Sequence, residues 1–556
     1  MRSDVEIAAA ATPQPIAAVA EKLGITAEEL VLYGPGKAKI RPAVRERPRP
    51  RSGESRLVLV SAITPTPAGE GKTTTAIGLA QAFGRLGQSA CLALREPSLG
   101  PCMGMKGGAT GGGYSQLLPA DEINLHFTGD FHAVTTAHNL LAAILDNHIH
   151  HQDGLQIDPR RILWRRVIDM NDRALRDLII GLGGVMQGVP RETGFDITAA
   201  SEVMAMLCLT EGLEDLRARI DRTLVAFTYE KEPIRAGQLR ATGAMLALLR
   251  DALMPNLVQT LEGTPALVHG GPFANIAHGC NSVIATKTAM HLADWTITEA
   301  GFGFDLGAEK FFDIKCVGAG IDTAVVVLVA TVRALKLHGG VKKRDLSRPD
   351  PQAVRAGLGN LAKHIENIRH FCEPPVVALN RFADDADEEL AVIRECCQAQ
   401  DAPFAVSEHF ARGGEGAVPL AEAVIQYAEK VAKPFCPLYD WEDPVPEKIR
   451  TVAQKMYGAR QLEFSREAER DLRDIERLGY ADLPICIAKT EKSLSDDPKL
   501  RGRPEDFDVN VQRILINAGA GFLVVMTGEI IRMPGLPKRP QAEAIDLQGG
   551  RIVGLG

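Results

Sequence analysis

One stretch limits the possible folds of this chain more than any other, the run SAITPTPAGEGKTTTAIGLAQAFGRLG at residues 61–87. The apolar run RLVLVSAI leads into it and predicts a buried strand, and TTTAIGLAQAFGRLG predicts a helix. Closely spaced glycines lie between them and are followed by Lys72 and Thr73. A strand, a glycine-rich turn and a Lys-Thr pair that opens a helix are typical of phosphate-binding loops. The stretch therefore predicts an α/β fold with a nucleotide phosphate site at a strand end.

The predicted loop consists of Thr66, Pro67, Ala68, Gly69, Glu70, Gly71, Lys72 and Thr73. The usual motif begins with glycine, and Thr66 stands at that position here. Glycine lets backbone amides approach phosphate oxygens, and the helix N-terminus adds positive potential. We expect Lys72 to neutralise phosphate oxygens and Thr73 to hold Mg²⁺. The alternative is a glycine-rich turn that caps an ordinary helix, and the combination of strand, lysine, threonine and helix disfavours it.

A second polar group follows the next predicted strand, SACLALREP. Arg95 and Glu96 come at its carboxyl end, where open α/β sheets bind ligands, and an arginine can clamp a carboxylate or phosphate with two hydrogen bonds. The run KGGATGGG at 106–113 has five glycines in eight residues, which favours a loop that approaches a ligand. His126 and Asp130 follow shortly after. A surface salt bridge for Arg95 and a plain flexible linker for the glycine run stay open as alternatives.

Composition narrows the choice of partners. The net charge is −7, which disfavours nucleic acid or an anionic membrane as the main partner. No apolar run approaches the roughly 20 residues that span a bilayer, and the first residues lack the pattern of a signal or transit peptide. The ten cysteines are scattered without a C-x-x-C pair, which is typical of reduced thiols. We therefore expect a cytoplasmic protein that binds neither nucleic acid nor a membrane.

Many long motifs of the chain, all in the same order, resemble those of formate–tetrahydrofolate ligases, also called 10-formyltetrahydrofolate synthetases. They are TPAGEGKTTT, LREPSLGP, KGGATGGGYSQ, NLHFTGDFHA, VHGGPFANIAHGCNS, TEAGFGFDLGAEKFFDIKC, VATVRALKLHGG, ALNRF, GGEG, KTEKSLSDDP and MTGEIIRMPGLP. They extend over nearly the whole chain. The resemblance implies that formate and ATP give formyl phosphate, whose formyl group passes to N10 of tetrahydrofolate. ADP and phosphate are then released.

The resemblance also implies roles for individual residues. Arg95 would grip formyl phosphate, Glu96 and Asp130 would position substrate or metal, and His126 would lie near the reacting groups. His126 would act there as a hydrogen-bond donor or as an acid or base, and a histidine that only braces its loop is the alternative. ATP, Mg²⁺, a monovalent cation (K⁺ or NH₄⁺) as activator and a homotetramer are implied in the same way.

Folate binding needs aromatic side chains, because a pterin ring stacks on their faces. The resemblance places this clamp at Phe382 in ALNRF and Phe410 in SEHFARGGEG. Tryptophan is common in the family where Phe410 stands, so we expect the smaller ring to weaken or alter folate binding. The alternative is that both phenylalanines are core residues, since phenylalanine is more often buried than exposed.

Alternation of short apolar runs and helical stretches from residue 56 predicts an α/β fold with a mostly parallel sheet. We divide the chain into three predicted domains. Residues 1–365 hold N-terminal helices and a phosphate-loop NTPase-like domain for nucleotide and formyl phosphate. Residues 366–450 form a second α/β segment with the folate clamp, and 451–556 form a smaller C-terminal α+β domain. In the latter region, the charged stretch from EKIRTV to DIERLG predicts a helix.

Three other functions stay open. The first is a regulatory or positioning ATPase of the deviant phosphate-loop type, which the long chain and Glu70 inside the loop disfavour. The second is a catalytically silent binding protein, which the intact Lys72, Thr73 and Arg95 disfavour. The third is an amide-forming ligase that also passes through an acyl phosphate, and the folate clamp is the feature that separates it from the predicted activity.

Overall fold

A computed structural model of the chain describes residues 3–67, 69–106, 109–152, 154–430, 434–528 and 530–555. The strands, in chain order, are β1 (Leu30–Leu32), β2 (Ala38–Ile40), β3 (Arg56–Ala62), β4 (Ala90–Leu94), β5 (Gly111–Gly112), β6 (Ser115–Leu118), β7 (Ile157–Ile162), β8 (Arg166–Ile168), β9 (Leu178–Ile180), β10 (Arg191–Thr193), β11 (Phe195–Ile197), β12 (Leu224–Thr228), β13 (Pro233–Arg235), β14 (Asn256–Thr260), β15 (Pro265–Val268), β16 (Trp295–Glu299), β17 (Val325–Ala330), β18 (Pro375–Asn380), β19 (Phe404–Ser407), β20 (Gln461–Phe464), β21 (Ile485–Ala488), β22 (Asp508–Val511), β23 (Arg513–Asn517), β24 (Phe522–Met526), β25 (Asp546–Gln548) and β26 (Arg551–Val553).

The helices, in chain order, are α1 (Asp4–Ala10), α2 (Ile16–Glu21), α3 (Lys72–Arg85), α4 (Leu99–Pro101), α5 (Ala120–Asn124), α6 (Asp130–His151), α7 (Glu202–Leu209), α8 (Leu213–Arg222), α9 (Thr242–Leu249), α10 (Val283–Leu292), α11 (Val317–Ala319), α12 (Val332–His338), α13 (Pro351–His370), α14 (Asp387–Ala399), α15 (His409–Lys430), α16 (Val445–Val452) and α17 (Arg466–Leu478). Turns of π helix lie at Cys102–Lys106, Phe304–Ala308, Phe311–Cys316 and Ala453–Tyr457.

A twelve-stranded sheet forms the centre of the protein. Its strand order is β1-β2-β14-β15-β4-β16-β3-β17-β18-β19, with β6 beside β14 and β5 beside β6. Every neighbouring pair from β15 to β19 is parallel. The strands at the other side pair antiparallel. The prediction of an α/β fold with a large, mostly parallel sheet is therefore confirmed.

The parallel strands are apolar along their length because helices cover both faces of the sheet. Val58 and Val60 of β3 pack in one core cluster with residues of α3 and α15. Leu57 and Leu59, which point to the opposite face, pack in another cluster with residues of α12 and α13. The strand interior is thus excluded from water, and polar side chains collect where the strands end.

The predicted boundary at residues 365 and 366 falls within α13, and β18 and β19 beyond it continue the central sheet beside β17. The division into 1–365, 366–450 and 451–556 stays a prediction. In the last segment, β21, β24 and β23 form a small sheet of mixed direction. The charged stretch predicted as helical covers most of α16 and all of α17 but is interrupted by β20, because Gln461–Phe464 pairs with β22. Among the described helices, none is long and apolar enough to cross a membrane.

Candidate active site at the carboxyl ends of the parallel strands

The predicted phosphate loop connects β3 to α3 at the carboxyl ends of the parallel strands. Its outer residues Pro67 and Gly69 are exposed, and Ala68 lies outside the described residues. Gly71 has φ 77° and ψ 33°, a left-handed conformation that glycine adopts without steric cost. A Cβ atom at Gly71 would also lie 2.5 Å from Nδ2 of Asn380. Glycine is therefore required here by both the backbone conformation and the close approach of Asn380.

The Glu70 side chain bonds back to the first residue of the loop. Its Oε1 accepts hydrogen bonds from Thr66 N at 2.7 Å and from Thr66 Oγ1 at 3.0 Å. Asn380 Nδ2 donates to the Glu70 carbonyl oxygen at 3.1 Å. Burial raises the pKa of the Glu70 carboxyl, and the nearby Lys72 opposes that rise. Thr66, which replaces the usual glycine, thus stabilises the loop through its bonds to Glu70.

Lys72 and Thr73 begin α3 directly after Gly71. Glycine has no side chain to cap the helix, so the first backbone amides of α3 can donate to an anion. Burial lowers the pKa of the Lys72 amine, whereas the carboxylates of Glu70 and Glu299 favour its charged form. A cation and a helix N-terminus placed together in this way suit a phosphate group.

Glu299 connects Thr73 to Arg95. Thr73 Oγ1 donates to Glu299 Oε2 at 2.7 Å, and Arg95 Nη2 lies 3.8 Å from Glu299 Oε1. The strand order explains this meeting, because β16 ends at Glu299 and lies between β3 and β4. No role was predicted for Glu299, although its position near the start of TEAGFGFDLG was a usable signal. The link brings three predicted site residues, Lys72, Thr73 and Arg95, into one place.

The Arg95 guanidinium keeps donors available for an anion. Nη1 donates to the Pro272 carbonyl oxygen at 3.3 Å, and the buried Nε has no hydrogen-bond partner among the described residues. A Cβ atom at Gly301 would lie 3.0 and 3.2 Å from the two terminal nitrogens, so glycine at that position leaves room for the guanidinium. The Arg95 guanidinium can therefore donate to a carboxylate or phosphate oxygen bound beside Glu299.

Glu96 and Asp130 lie near each other but differ in their surroundings. Asp130 forms a buried ion pair with Lys39 at 2.7 Å and accepts a hydrogen bond from Asn256 Nδ2 at 2.8 Å. Glu96 is buried, and its Oε2 has no hydrogen-bond partner in the described ranges. Burial, and then the negative charge of Asp130, raise the pKa of Glu96 well above its usual value. Asp130 is therefore satisfied by the protein itself, while Glu96 retains an unused oxygen.

His126 lies in the loop between α5 and α6, and its side chain is exposed. The neighbouring residues brace this loop. Lys37 Nζ donates to the Phe127 carbonyl oxygen at 2.5 Å, and Thr128 Oγ1 donates to Asn256 Oδ1 at 2.7 Å. These bonds do not involve the His126 side chain, and both its chemical role and the alternative bracing role stay predictions.

Phe382 and Phe410 follow neighbouring parallel strands, β18 and β19, and both are partly exposed rather than core residues. The Arg333 guanidinium carbon lies 4.2 Å from the centroid of the Phe382 ring, so one face of that ring is covered by a cation. The Phe410 carbonyl oxygen accepts a hydrogen bond from Tyr114 N at 2.9 Å. A Cβ atom at Gly112 would lie 3.1 Å from Phe410 Cε2. The glycine run therefore contacts Phe410.

Other residues of the quoted motifs are satisfied within the protein. His269 is fully buried, and its two ring nitrogens lie 2.6 Å from Ser282 Oγ and 2.6 Å from the Ala252 carbonyl oxygen. Burial lowers the pKa of His269 to about 4, so the ring is neutral. Lys489 forms a fully buried ion pair with Asp305 at 2.8 Å. These groups hold the site's surroundings in place.

No group of three or more His, Cys, Asp or Glu side chains within the described ranges is arranged to hold a metal ion. The run HIHH at 148–151 forms the last turn of α6. Thr73 Oγ1 and Glu299 Oε2 lie 2.7 Å apart, and both oxygens are of a type that ligates metal ions. They fit Mg²⁺, which proteins usually bind through one or two carboxylates together with substrate phosphates.

Two surface clefts, of about 530 and 560 Å³, lie at the other end of α3. Both are lined by Arg85 and Glu262, which pair with each other through two hydrogen bonds. Since α3 has 14 residues, these clefts lie roughly 20 Å from the phosphate loop. The candidate site is therefore defined by its chemistry at the strand ends and not by these clefts.

The carboxyl ends of the parallel strands bring together the Lys-Thr start of α3, an arginine and buried carboxylates. This arrangement defines an α/β protein suited to anionic substrates. A family model described as formate–tetrahydrofolate ligase matches residues 2–556. The chain therefore belongs to the formate–tetrahydrofolate ligase family, and the activity that membership implies is the ATP-dependent ligation of formate to tetrahydrofolate.

One solved structure, described as the apo form of L. casei FPGS, matches 71% of this chain and 94% of its own chain. The sequence identity is 14% and the TM-score is 0.14. A likeness at that TM-score carries no argument about this protein.

Proposed function

We propose that the protein makes 10-formyltetrahydrofolate from formate, ATP and tetrahydrofolate through formyl phosphate, with release of ADP and phosphate. Formate is a poor electrophile because its carboxylate has no leaving group, and phosphorylation supplies one. Family membership supports the overall reaction. The observation that most supports this site is the connection of Thr73 and Arg95 through Glu299, because it joins the phosphate loop to a cation suited to a carboxylate.

In the first step, an oxygen of formate attacks the γ-phosphorus of ATP, and the bond to the bridging oxygen breaks so that ADP leaves. Both substrates are anions, so their repulsion must be offset. Lys72 and the first amides of α3 would hold the β- and γ-phosphates, and Arg95 would hold formate and then formyl phosphate. Mg²⁺, when bound, would neutralise phosphate charge beside Thr73 and Glu299.

In the second step, the lone pair on N10 of tetrahydrofolate attacks the formyl carbon. The carbon–oxygen bond to phosphate then breaks, phosphate leaves with that electron pair, and N10 gives up its proton. Phe382 and Phe410 would flank the pterin, and the partial exposure of both rings supports this role. His126, which is also exposed, would serve as a hydrogen-bond donor or as an acid or base for this step.

The remaining parts of the proposal rest on resemblance to the family. A monovalent cation, K⁺ or NH₄⁺, is proposed as activator. Glu96 and Asp130 would position substrate or metal. A homotetramer, a cytoplasmic location, the phosphate-loop NTPase-like character of the first segment and the three-domain division stay predictions.

The first test is release of ADP from Mg²⁺-ATP, with formate and tetrahydrofolate omitted in turn. We expect release only when both are present, in equal amount to a 10-formyl product. Release with neither substrate would instead identify a stand-alone ATPase and would remove the proposed folate site at Phe382 and Phe410. A product formed with formate and a different amine would support another acyl phosphate ligase.

The second test is Lys72→Ala. We expect turnover to fall by about 10³-fold, because the site loses the cation that offsets phosphate charge. The melting temperature should not fall, since the lost amine is desolvated in the folded protein. Lys287→Ala is the matched control, because Lys287 lies on α10, pairs with Glu211 and has no role in the proposed site. Wild-type turnover in folded Lys72→Ala protein would refute the phosphate-loop assignment.

A further inference from the structure

His409 connects the phosphate-loop helix to the strand end that carries Phe410. It is the first residue of α15 and is fully buried. Its Nδ1 lies 2.8 Å from Ser407 Oγ, and its Nε2 lies 3.3 Å from Thr75 Oγ1. Thr75 Oγ1 in turn donates to the Gly71 carbonyl oxygen at 2.9 Å. Four residues, from the phosphate loop, α3, α15 and β19, therefore form one continuous hydrogen-bonded chain.

We assign the direction of each bond in this chain from its count of hydrogens. A hydroxyl group has a single hydrogen, and that of Thr75 is used in the bond to Gly71. In this assignment Thr75 Oγ1 accepts from His409, which places the ring proton on Nε2. Nδ1 then accepts from the Ser407 hydroxyl. Burial lowers the pKa of His409 to about 3, so the ring is neutral, as this pattern requires.

The main chain beside His409 is held as closely as its ring. The His409 carbonyl oxygen accepts a hydrogen bond from Ser115 Oγ at 2.9 Å, and the Phe410 carbonyl oxygen accepts one from Tyr114 N at 2.9 Å. A Cβ atom at Gly78 of α3 would lie 2.4 Å from His409 Cβ. α3 thus contacts His409 with no space between them, and Phe410 is the next residue in the chain.

We infer that His409 is a positioning residue that holds Phe410 in register with the phosphate loop and so couples nucleotide binding to tetrahydrofolate binding. The inference rests on the proposed folate site at Phe410. A shift of Gly71 on nucleotide binding would be passed to His409 through Thr75, and from His409 to Phe410 through the backbone. Coupling of this kind is reciprocal, so tetrahydrofolate would change the affinity for ATP by the same factor.

Two substitutions separate the halves of the hydrogen-bonded chain. In His409→Gln, the amide nitrogen reaches the position of Nε2 and can still donate to Thr75. In His409→Asn, the shorter side chain reaches only the position of Nδ1 and can still bond to Ser407. Both replacements are polar and uncharged, so they differ mainly in which bond they keep. Thr75→Val and Thr75→Ser form a second matched pair that removes or keeps the hydroxyl on the other side.

The measurement is the Kd of tetrahydrofolate by equilibrium dialysis, without formate, in the presence and absence of saturating Mg²⁺-ATP. We expect ATP to change the wild-type Kd by about fivefold or more. His409→Gln and Thr75→Ser should keep most of that change, whereas His409→Asn and Thr75→Val should reduce it to nearly none. A purely structural role would lower the melting temperatures without altering the effect of ATP in the folded protein.

Either of two results would overturn the inference: a wild-type Kd that ATP does not change, or an unchanged ATP effect in folded His409→Asn or Thr75→Val. If His409→Asn fails to fold, the Thr75 pair decides the question. The assay of ADP release with substrates omitted in turn distinguishes failure of this inference from failure of the proposed function. Wild-type 10-formyl product together with uncoupled binding would refute only this inference, whereas wild-type protein that binds ATP but no tetrahydrofolate would refute the proposed folate site as well.

Discussion

Two cation–carboxylate pairs that contain predicted site residues differ in how completely the protein satisfies them. Lys39 and Asp130 are 2.7 Å apart, and their side chains are 0% and 3% exposed. Arg95 and Glu299 are 3.8 Å apart, and their side chains are 22% and 6% exposed. Both pairs contain a residue predicted from the sequence as part of the site. Their residue types are similar, but their geometry is not.

The hydrogen bonds around each pair explain the difference. Asn256 donates to the second oxygen of Asp130 at 2.8 Å, and Lys39 also donates to the Met254 carbonyl oxygen at 3.1 Å. The second oxygen of Glu299 is bonded instead to Thr73, the proposed Mg²⁺ ligand. The Lys39–Asp130 pair is closed, because both side chains are buried and hydrogen-bonded, and it supports the fold. The Arg95–Glu299 pair is open, because it is longer and Arg95 is partly exposed, so that a ligand can replace one partner. We therefore assign chemistry to Arg95 and support to Lys39.

Arg95→Met tests the open pair and should have the largest effect. We expect kcat/KM for ligation to fall by about 10³-fold, because the proposed formyl phosphate loses its guanidinium, while the melting temperature stays close to that of the wild type. Arg95→Lys keeps the charge but loses the two-pronged geometry, so its activity should be intermediate. Steady-state kinetics and thermal melting measure both. Full activity in Arg95→Met would remove the distinction between the pairs.

Lys39→Met tests the closed pair. We expect a loss of about 3–5 kcal/mol in the free energy of unfolding, because Asp130 would be left charged and buried without its partner. Denaturant unfolding measures the loss. The double variant Lys39→Met/Asp130→Asn is the matched control and should recover part of the stability. A Lys39→Met protein as stable as the wild type but inactive would show that this pair, too, serves the chemistry.

Phe410 extends the comparison to a contact without charge. In Phe410→Ala, we expect the KM for tetrahydrofolate to rise by about tenfold, because a stacking face is lost. Phe410→Trp should lower the KM for tetrahydrofolate by about threefold if the wider ring can lie over Gly112. Initial rates at varied folate measure both. Equal KM values for the Ala variant and the wild type would place the folate elsewhere.

Glu202 is a buried carboxylate bonded to backbone amides, and its variant should have the smallest effect. Its Oε1 accepts from Gly519 N at 2.7 Å and Ala520 N at 3.2 Å. Burial raises its pKa from 4.5 to about 7, with those amides opposing the rise. The folded protein therefore binds this proton more tightly than the unfolded chain does. The resulting stability is present below pH 4.5 and is lost as the pH rises through 7.

We accordingly expect the wild-type melting temperature to fall between pH 5 and pH 8 by about 2 °C more than that of Glu202→Gln. The glutamine resembles the protonated carboxyl and does not titrate. Calorimetry at the two pH values measures the difference, and Glu230→Gln, at an exposed turn, is the control. Identical pH dependence in wild type and Glu202→Gln would mean that the amides, rather than burial, determine the charge of Glu202.

Short-range patterns in the sequence were enough for much of the fold and for the centre of the site. Strand β3, the glycine turn and α3 follow from residues within one stretch, because apolar periodicity and turn chemistry act over a few neighbours. The position of Arg95 at a strand end follows in the same way. Local pattern failed at β20, where a four-residue strand interrupts a charged helical stretch, because its pairing with β22 outweighs helix propensity.

The sequence by itself determined the family, the mostly parallel sheet and the residues that begin α3. Only the tertiary structure decided which partners those residues meet. Thr73 and Glu299 are 226 residues apart, and Thr75 and His409 are 334 residues apart. No local pattern relates such positions, since the order of the strands in the sheet brings them together. The same packing closed the Lys39–Asp130 pair and left the Arg95–Glu299 pair open, because burial and the remaining hydrogen-bond partners are properties of the folded chain.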